Sequence, residues 1–163
     1  MTADTIQEIG FAADSNQFLT FTLGDEEYGV DILKVQEIKG YSFITRVPRT
    51  PEFVRGVLNL RGTIVPVIDL RAKFGLERRE YDQFTVIVVV VVQGRAMGLI
   101  TDSVSDVLNL PHGDITETPE FSNRLDTKFI SGMGRAGDKL IILLDVEKLL
   151  STDEMQVVEA APA

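Results

Sequence analysis

The sequence predicts an all-β protein built as two similar small barrels, and three observations carry that expectation. Short apolar or alternating segments recur along the chain, each bounded by glycine, proline or a polar turn. The run VIVVVVV (86–92) is stiff at the first side-chain torsion and reads as a strand buried on both faces. Three blocks of sequence then occur twice, in the same order.

Taken in order, QFLTFTL (17–23) alternates, GDEE (24–27) turns, and YGVDI (28–32) resumes the extended pattern. VQEIKG (35–40) is a short strand ended by glycine, and FITRVP (43–48) another, closed by Pro48. TPEFVRG (50–56) is punctuated at both ends and has room for one helical turn. GVLNLRGTIVPVIDL (56–70) reads as a hairpin turning at Arg61-Gly62, with LRAKFG (70–75) as a helical exit. A polar linker, LERREYDQ (76–83), precedes the valine strand, which turns at QGR (93–95) into AMGLIT (96–101). VSDVLNLP, a loop to about 128, FISGMGR and KLIILLDV complete the strands. Val146, Leu149 and Leu150 fall at helical spacing, and STDE (151–154) offers a capping box, so a C-terminal helix is expected.

The repeats fix the architecture. YGVDILKVQEI (28–38) aligns with MGLITDSVSDV (97–107), matching Val35 to Val104, Glu37 to Asp106 and Ile38 to Val107. TPEF occurs at 50–53 and again at 118–121. GVLNLRGTIVPVIDL (56–70) aligns without a gap on GMGRAGDKLIILLDV (132–146), matching Gly56 to Gly132 and Asp69 to Asp145. An insertion of about eight residues after the second TPEF reconciles the blocks. Each copy spans about 65 residues, too few to be comfortably stable alone, so the two should share an interface.

Composition narrows the function. A net charge of −9 over 163 residues repels phosphate backbones, which disfavours nucleic acid as a partner. The basic run LERRE (76–80) alternates with acids and reads as a solvated loop. The chain has no cysteine, so thiolate chemistry and disulfides are excluded. The opening MTADTIQEIGFAADSN lacks the pattern of an export signal, and the valine run falls short of the roughly 20 apolar residues a membrane helix needs. A cytoplasmic protein is expected. His112, in the loop LPHGD, is the only histidine, so zinc sites and Ser-His-Asp triads lack parts. DEE (25–27) has no calcium-loop spacing, and a strand rather than a helix follows the glycines of SGMGRAGDK (131–139). No metal, cofactor or catalytic residue is assigned.

Two features are left to carry function. Val35 and Glu37, two apart on a strand, face the same side; with Ile38 in the core, they would lie on the outer face. The same logic places Val104 and Asp106 outside in the second copy. Arg61 and Gly62 align with Gly137 and Asp138, so the Arg-Gly pair is specialised to the first copy rather than required by the turn. A guanidinium at that tip would reach a partner carboxylate or Glu37.

FTLGDEEYGVDILKVQEI, GVLNLRGTIVPVIDLRAKFG, VSDVLNL and GMGRAGDKLIILLDVEKLL together resemble the CheW family of bacterial chemotaxis coupling proteins, over about residues 16 to 156. The resemblance implies two intertwined five-stranded SH3-like barrels. A lead-in would occupy 1–15, the first barrel about 24–80, the second about 16–23 plus 81–156, and a tail 157–163. It implies a non-enzymatic adaptor that joins chemoreceptor cytoplasmic tips to the C-terminal regulatory domain of the CheA histidine kinase, recruited from the cytoplasm to receptor arrays. The receptor-facing groove would involve Val35, Glu37, Gly56, Arg61 and Gly62, with Val104, Val107 and Gly132. Glu120 and Phe121 match a surface that touches the kinase domain, while Thr116 departs from the basic residue expected there. The alternative is a small-ligand-binding β-barrel regulatory module; an enzyme ranks third, for want of acid–base residues.

Overall fold

The strands assemble because their apolar residues have two places to go, a barrel interior and a core shared between barrels. The computed structural model describes residues 15–42, 44–116 and 129–150. Among these residues eleven strands are formed: β1 (Ser15–Leu23), β2 (Glu26–Asp31), β3 (Val35–Gly40), β4 (Val54–Leu60), β5 (Thr63–Asp69), β6 (Val86–Val92), β7 (Arg95–Thr101), β8 (Ser103–Pro111), β9 (Ile115–Thr116), β10 (Ile130–Ala136) and β11 (Lys139–Leu144). One short helix, α1 (Leu70–Lys73), follows β5. FITRVP, expected as a strand, contributes only a single bridge from Thr45 to Val57. The backbone at Pro51 accepts a hydrogen bond from Val54 instead of starting a helix.

Two sheets result, one of six strands in the order β8-β1-β2-β11-β10-β9 and one of five in the order β3-β6-β7-β5-β4. The duplication is visible in the pairing itself. β5 runs parallel to β7 through Val67 and Gly98, and β11 runs parallel to β2 through Leu143 and Gly29. Bulges interrupt β3 between Val35 and Glu37, and β4 between Val54 and Gly56. Their copies fall opposite Thr20 and Phe21 on β8, and between Ile130 and Gly132 on β10. Each repeat therefore donates its first two strands to the other repeat's sheet. Strand membership consequently differs from the expected barrel limits: β2 lies in the six-stranded sheet, and the hairpin β6–β7 in the five-stranded one. The sixth strand is β9, whose Thr116 pairs with Met133 as Thr45 bridges to Val57.

Three apolar clusters follow from this exchange. Ile44, Leu58, Leu60, Val65, Val67, Ile87, Val89 and Ile100 fill one barrel. Phe18, Leu110, Ile141 and Leu143 fill the other. The largest cluster lies between them and draws on both repeats, from Leu19, Phe21 and Val30 to Val88, Val90 and Leu99. β6 is the shared wall: Ile87 and Val89 face one core while Val88 and Val90 face the other, all fully buried.

Some expectations change. Ile38 is not core; it is 45 % exposed, on the outward side of an edge strand. Val35 and Glu37 take the inner side of the alternation, with Val35 packed against the shared core. The copy of Phe53 is Phe129 rather than Phe121: Asp69 N–H donates to the Phe53 carbonyl at 2.8 Å, and Asp145 N–H to that of Phe129 at 2.7 Å. Phe53 is half-buried, with Lys73 Nζ 4.8 Å above its ring. At the C-terminus the described chain ends after a 3-10 turn, Val146–Lys148, and the capping box at 151–154 lies outside the described residues.

Candidate functional site

The Arg61-Gly62 turn is set by its neighbours. Leu60 pairs with Thr63, leaving a two-residue loop in which both residues have positive φ, 52° for Arg61 and 87° for Gly62. Such a primed turn matches strand twist and is easiest for glycine. Asn59 Oδ1 accepts from Gly62 N–H at 2.8 Å and pins the tip.

From that tip the Arg61 guanidinium forms a two-pronged ion pair with Glu37: Nη1 donates to Oε2 at 3.3 Å, and Nη2 donates to Oε1. β3 and β4 are opposite edges of the five-stranded sheet, so the pair spans its open seam. The Arg61 side chain is 68 % exposed and that of Glu37 26 %. The Arg61 hydrogen bond holds the Glu37 carboxyl below its ordinary value. The arrangement is a rigid, solvent-facing charge with no proton poised near neutral pH, suited to recognition rather than acid–base chemistry.

The other sequence-assigned residues divide. Val35 and Val104 are half-buried against the shared core, and Val107 is 44 % exposed, the counterpart of Ile38. Gly56 and Gly132 are buried. A Cβ on Gly56 would run into the Thr45 carbonyl, and one on Gly132 would stand 2.8 Å from the Thr116 carbonyl oxygen. These two glycines let each bulged strand pass under its neighbour, so their part in any docking face is indirect. Glu120 and Phe121 lie outside the described residues.

Sequence reasoning missed two polar networks that hold the linker 76–83. Asp69, buried at the end of β5, accepts at Oδ1 from Arg71 and Ala72 N–H, and at Oδ2 from the Tyr81 hydroxyl at 2.7 Å and Arg55 Nε at 3.3 Å. Burial, then the Asp69 bond, push the Tyr81 hydroxyl well above its ordinary value, so it stays a donor. Arg71 clamps Asp102 through Nε at 2.8 Å and Nη2 at 2.6 Å, and Arg79 joins at 3.1 Å. LERRE is therefore not simply a solvated loop. The pairing of Asp69 with Asp145 in the repeats was the one available signal, since both cap a turn.

Burial alone would raise the Asp102 carboxyl, but Arg71, the Gly24 N–H and Arg79 together hold it below its ordinary value. A depressed carboxyl adds stability above its unfolded pKa, and that stability is lost as pH falls through the folded one. Melting temperature should therefore drop as pH falls below the ordinary aspartate value of about 4. Asp102→Asn should melt lower at neutral pH and lose part of that acid dependence; an unchanged acid profile would show that the clamp contributes nothing.

Among the described residues no cluster of histidine, cysteine, aspartate or glutamate has the make-up of a metal site. No described helix is long and apolar enough to cross a membrane.

Comparison with known proteins agrees with this geometry. The CheW-like domain family model matches residues 17–154. The chain is 48 % identical over 155 residues to the chemotaxis protein CheW of Klebsiella aerogenes, covering 95 % of this chain and 93 % of that protein. It is 37 % identical over 137 residues to CheW of Helicobacter pylori, covering 84 % and 82 %. The crystal structure of the scaffolding protein TtCheW from Thermoanaerobacter tengcongensis superposes with a TM-score of 0.80 at 36 % identity, over 85 % of this chain and 94 % of that one. A fold of two strand-exchanged barrels, a specialised Arg-Gly turn and these matches over most of the length place the chain in the CheW family.

Proposed function

We propose that this protein is a non-catalytic adaptor of bacterial chemotaxis, coupling chemoreceptor cytoplasmic tips to the regulatory domain of a CheA-type histidine kinase. The observation that carries this reading is the Arg61–Glu37 pair, a preorganised and exposed charge at a rigid turn. Val35, Glu37, Arg61 and Gly62 form the centre of the proposed receptor face, and Val104 and Val107 extend it from the second repeat. Gly56 and Gly132 support it by shaping β4 and β10. Glu120 and Phe121 are the proposed kinase-contact residues, so that one adaptor would hold receptor and kinase at once. Recruitment from the cytoplasm to receptor arrays follows from those two contacts.

Arg61→Glu places two acids together and should abolish receptor-fragment binding in a titration while melting within a few degrees of the parent, because an exposed turn charge contributes little stability. Binding to an isolated kinase regulatory domain should persist. A variant that still binds receptor and supports receptor-controlled kinase activity would remove Arg61 from the interface.

A further inference from the structure

The segment between β3 and β4 builds a second, unassigned surface. An open cavity of about 330 Å³ is walled by Arg46, Val47, Pro48, Arg49, Pro51 and Arg55, with Glu52 as the acid on its wall. Among the described residues neither Arg46 nor Arg49 has a hydrogen-bond or ion-pair partner. Both are exposed, in a chain of net charge −9. Arg55 is already held by Asp69 and Tyr81, so it lends the wall rigidity more than free charge.

The segment is stiff. Pro48 and Pro51 fix two backbone torsions, Thr50 Oγ1 donates to the Val47 carbonyl at 3.0 Å, and Val54 N–H closes on the Pro51 carbonyl at 3.0 Å. Arg49 sits in the left-handed region at φ 63°. A loop ordered before binding gives up little entropy when a ligand arrives.

We propose that this groove docks an acidic segment of a partner protein, with carboxylates on Arg46 and Arg49 and an intervening apolar side chain against Val47, Pro48 and Pro51. A guanidinium takes a carboxylate through two parallel hydrogen bonds. The interleaved apolar wall selects a peptide over a free phosphate, which would face water-exposed arginines and leave that wall unused. The surface is separate from the Arg61–Glu37 turn, and the inference stands whether or not the adaptor reading does.

A fluorescein-labelled peptide of sequence EELEELEE, titrated at low salt and followed by anisotropy, tests it with the full-length protein. Saturable binding is expected, weakened at least tenfold by Arg46→Glu combined with Arg49→Glu, and unchanged by Arg135→Glu on the exposed face of β10. Replacing both leucines by serine at constant charge should weaken binding severalfold, and inorganic pyrophosphate should compete poorly. Equal binding by the parent and the double variant at matched melting temperature would overturn the proposal. So would equal affinity for the serine peptide, or tighter binding of pyrophosphate.

Discussion

Gly56→Ala should cost about 3–5 kcal/mol, combining left-handed backbone strain with loss of the hydrogen bonds beside it. Gly56 has φ 146°, where a side chain is disfavoured, and its α-carbon lies directly under the Thr45 carbonyl, with Ile44 Cγ2 2.9 Å from the position a Cβ would take. The neighbouring bridge is two hydrogen bonds, Thr45 N–H to Val57 O at 2.9 Å and Val57 N–H to Thr45 O at 2.8 Å. A methyl group at 56 cannot be accommodated by a rotamer change, because the obstacle is backbone. Either the bridge opens or β4 shifts, and both expose Leu58 and Leu60 of the barrel core. Gly132→Ala meets a gentler obstacle, the Thr116 carbonyl oxygen at 2.8 Å, and should cost less. Urea unfolding of the two variants checks the order. Parent-like stability of Gly56→Ala would mean the bridge at Thr45 is dispensable. With Gly56→Ala destabilised, loss of receptor binding in such a variant would then be read as a folding defect.

The repeat blocks made the barrels legible, because strand, bulge and cap all recur at matching positions. Asp69 and Asp145 carry the clearest trace: each ends a strand and caps the turn after it. The exchange of strands between sheets was not legible from periodicity. β2 and β7 each have a neighbour from the other repeat, and a residue pattern reports which face is buried, not against whom. TPEF misled for a related reason. Its second copy lies in a segment of different length, whereas the structural equivalence of Phe53 and Phe129 rests on backbone hydrogen bonds that have no side-chain signature. The Arg61–Glu37 contact was legible as a possibility, since alternation places Glu37 on a definite face and the turn projects Arg61. The fixing of the linker by Tyr81 and Arg79 was not. Polar residues of a solvated loop and of a clamped one have the same composition, and only the positions of Asp69 and Asp102 distinguish them.

The strongest test of the architecture lies in adjacent valines of β6. Val88 and Val89 are both fully buried, yet they point into different cores: Val88 into the cluster shared by both repeats, Val89 into the interior of one barrel. β6 also pairs on both edges, with β3 through Val88 and Ile38 and with β7 through Val88 and Leu99, so its backbone has no freedom to rotate a new side chain outward. An aspartate at either site would lie among aliphatic groups without a partner. The cost of an unpaired buried carboxylate is several kcal/mol even after it takes up a proton, comparable with the whole stability of a small domain of about 5–15 kcal/mol. Val88→Asp and Val89→Asp should therefore each unfold the protein at neutral pH, with loss of the cooperative thermal transition. Val89→Asp should act first on the barrel interior around Leu58 and Val65. Val88→Asp should separate the two repeats, because the cluster it enters is their common core. Hydrogen exchange on destabilised but still folded Val88→Ala and Val89→Ala reads that difference, with protection lost in β1 and β2 for the first and in β4 and β5 for the second. Tolerance of either aspartate at an unchanged melting temperature would place that face of β6 in solvent and remove the shared wall.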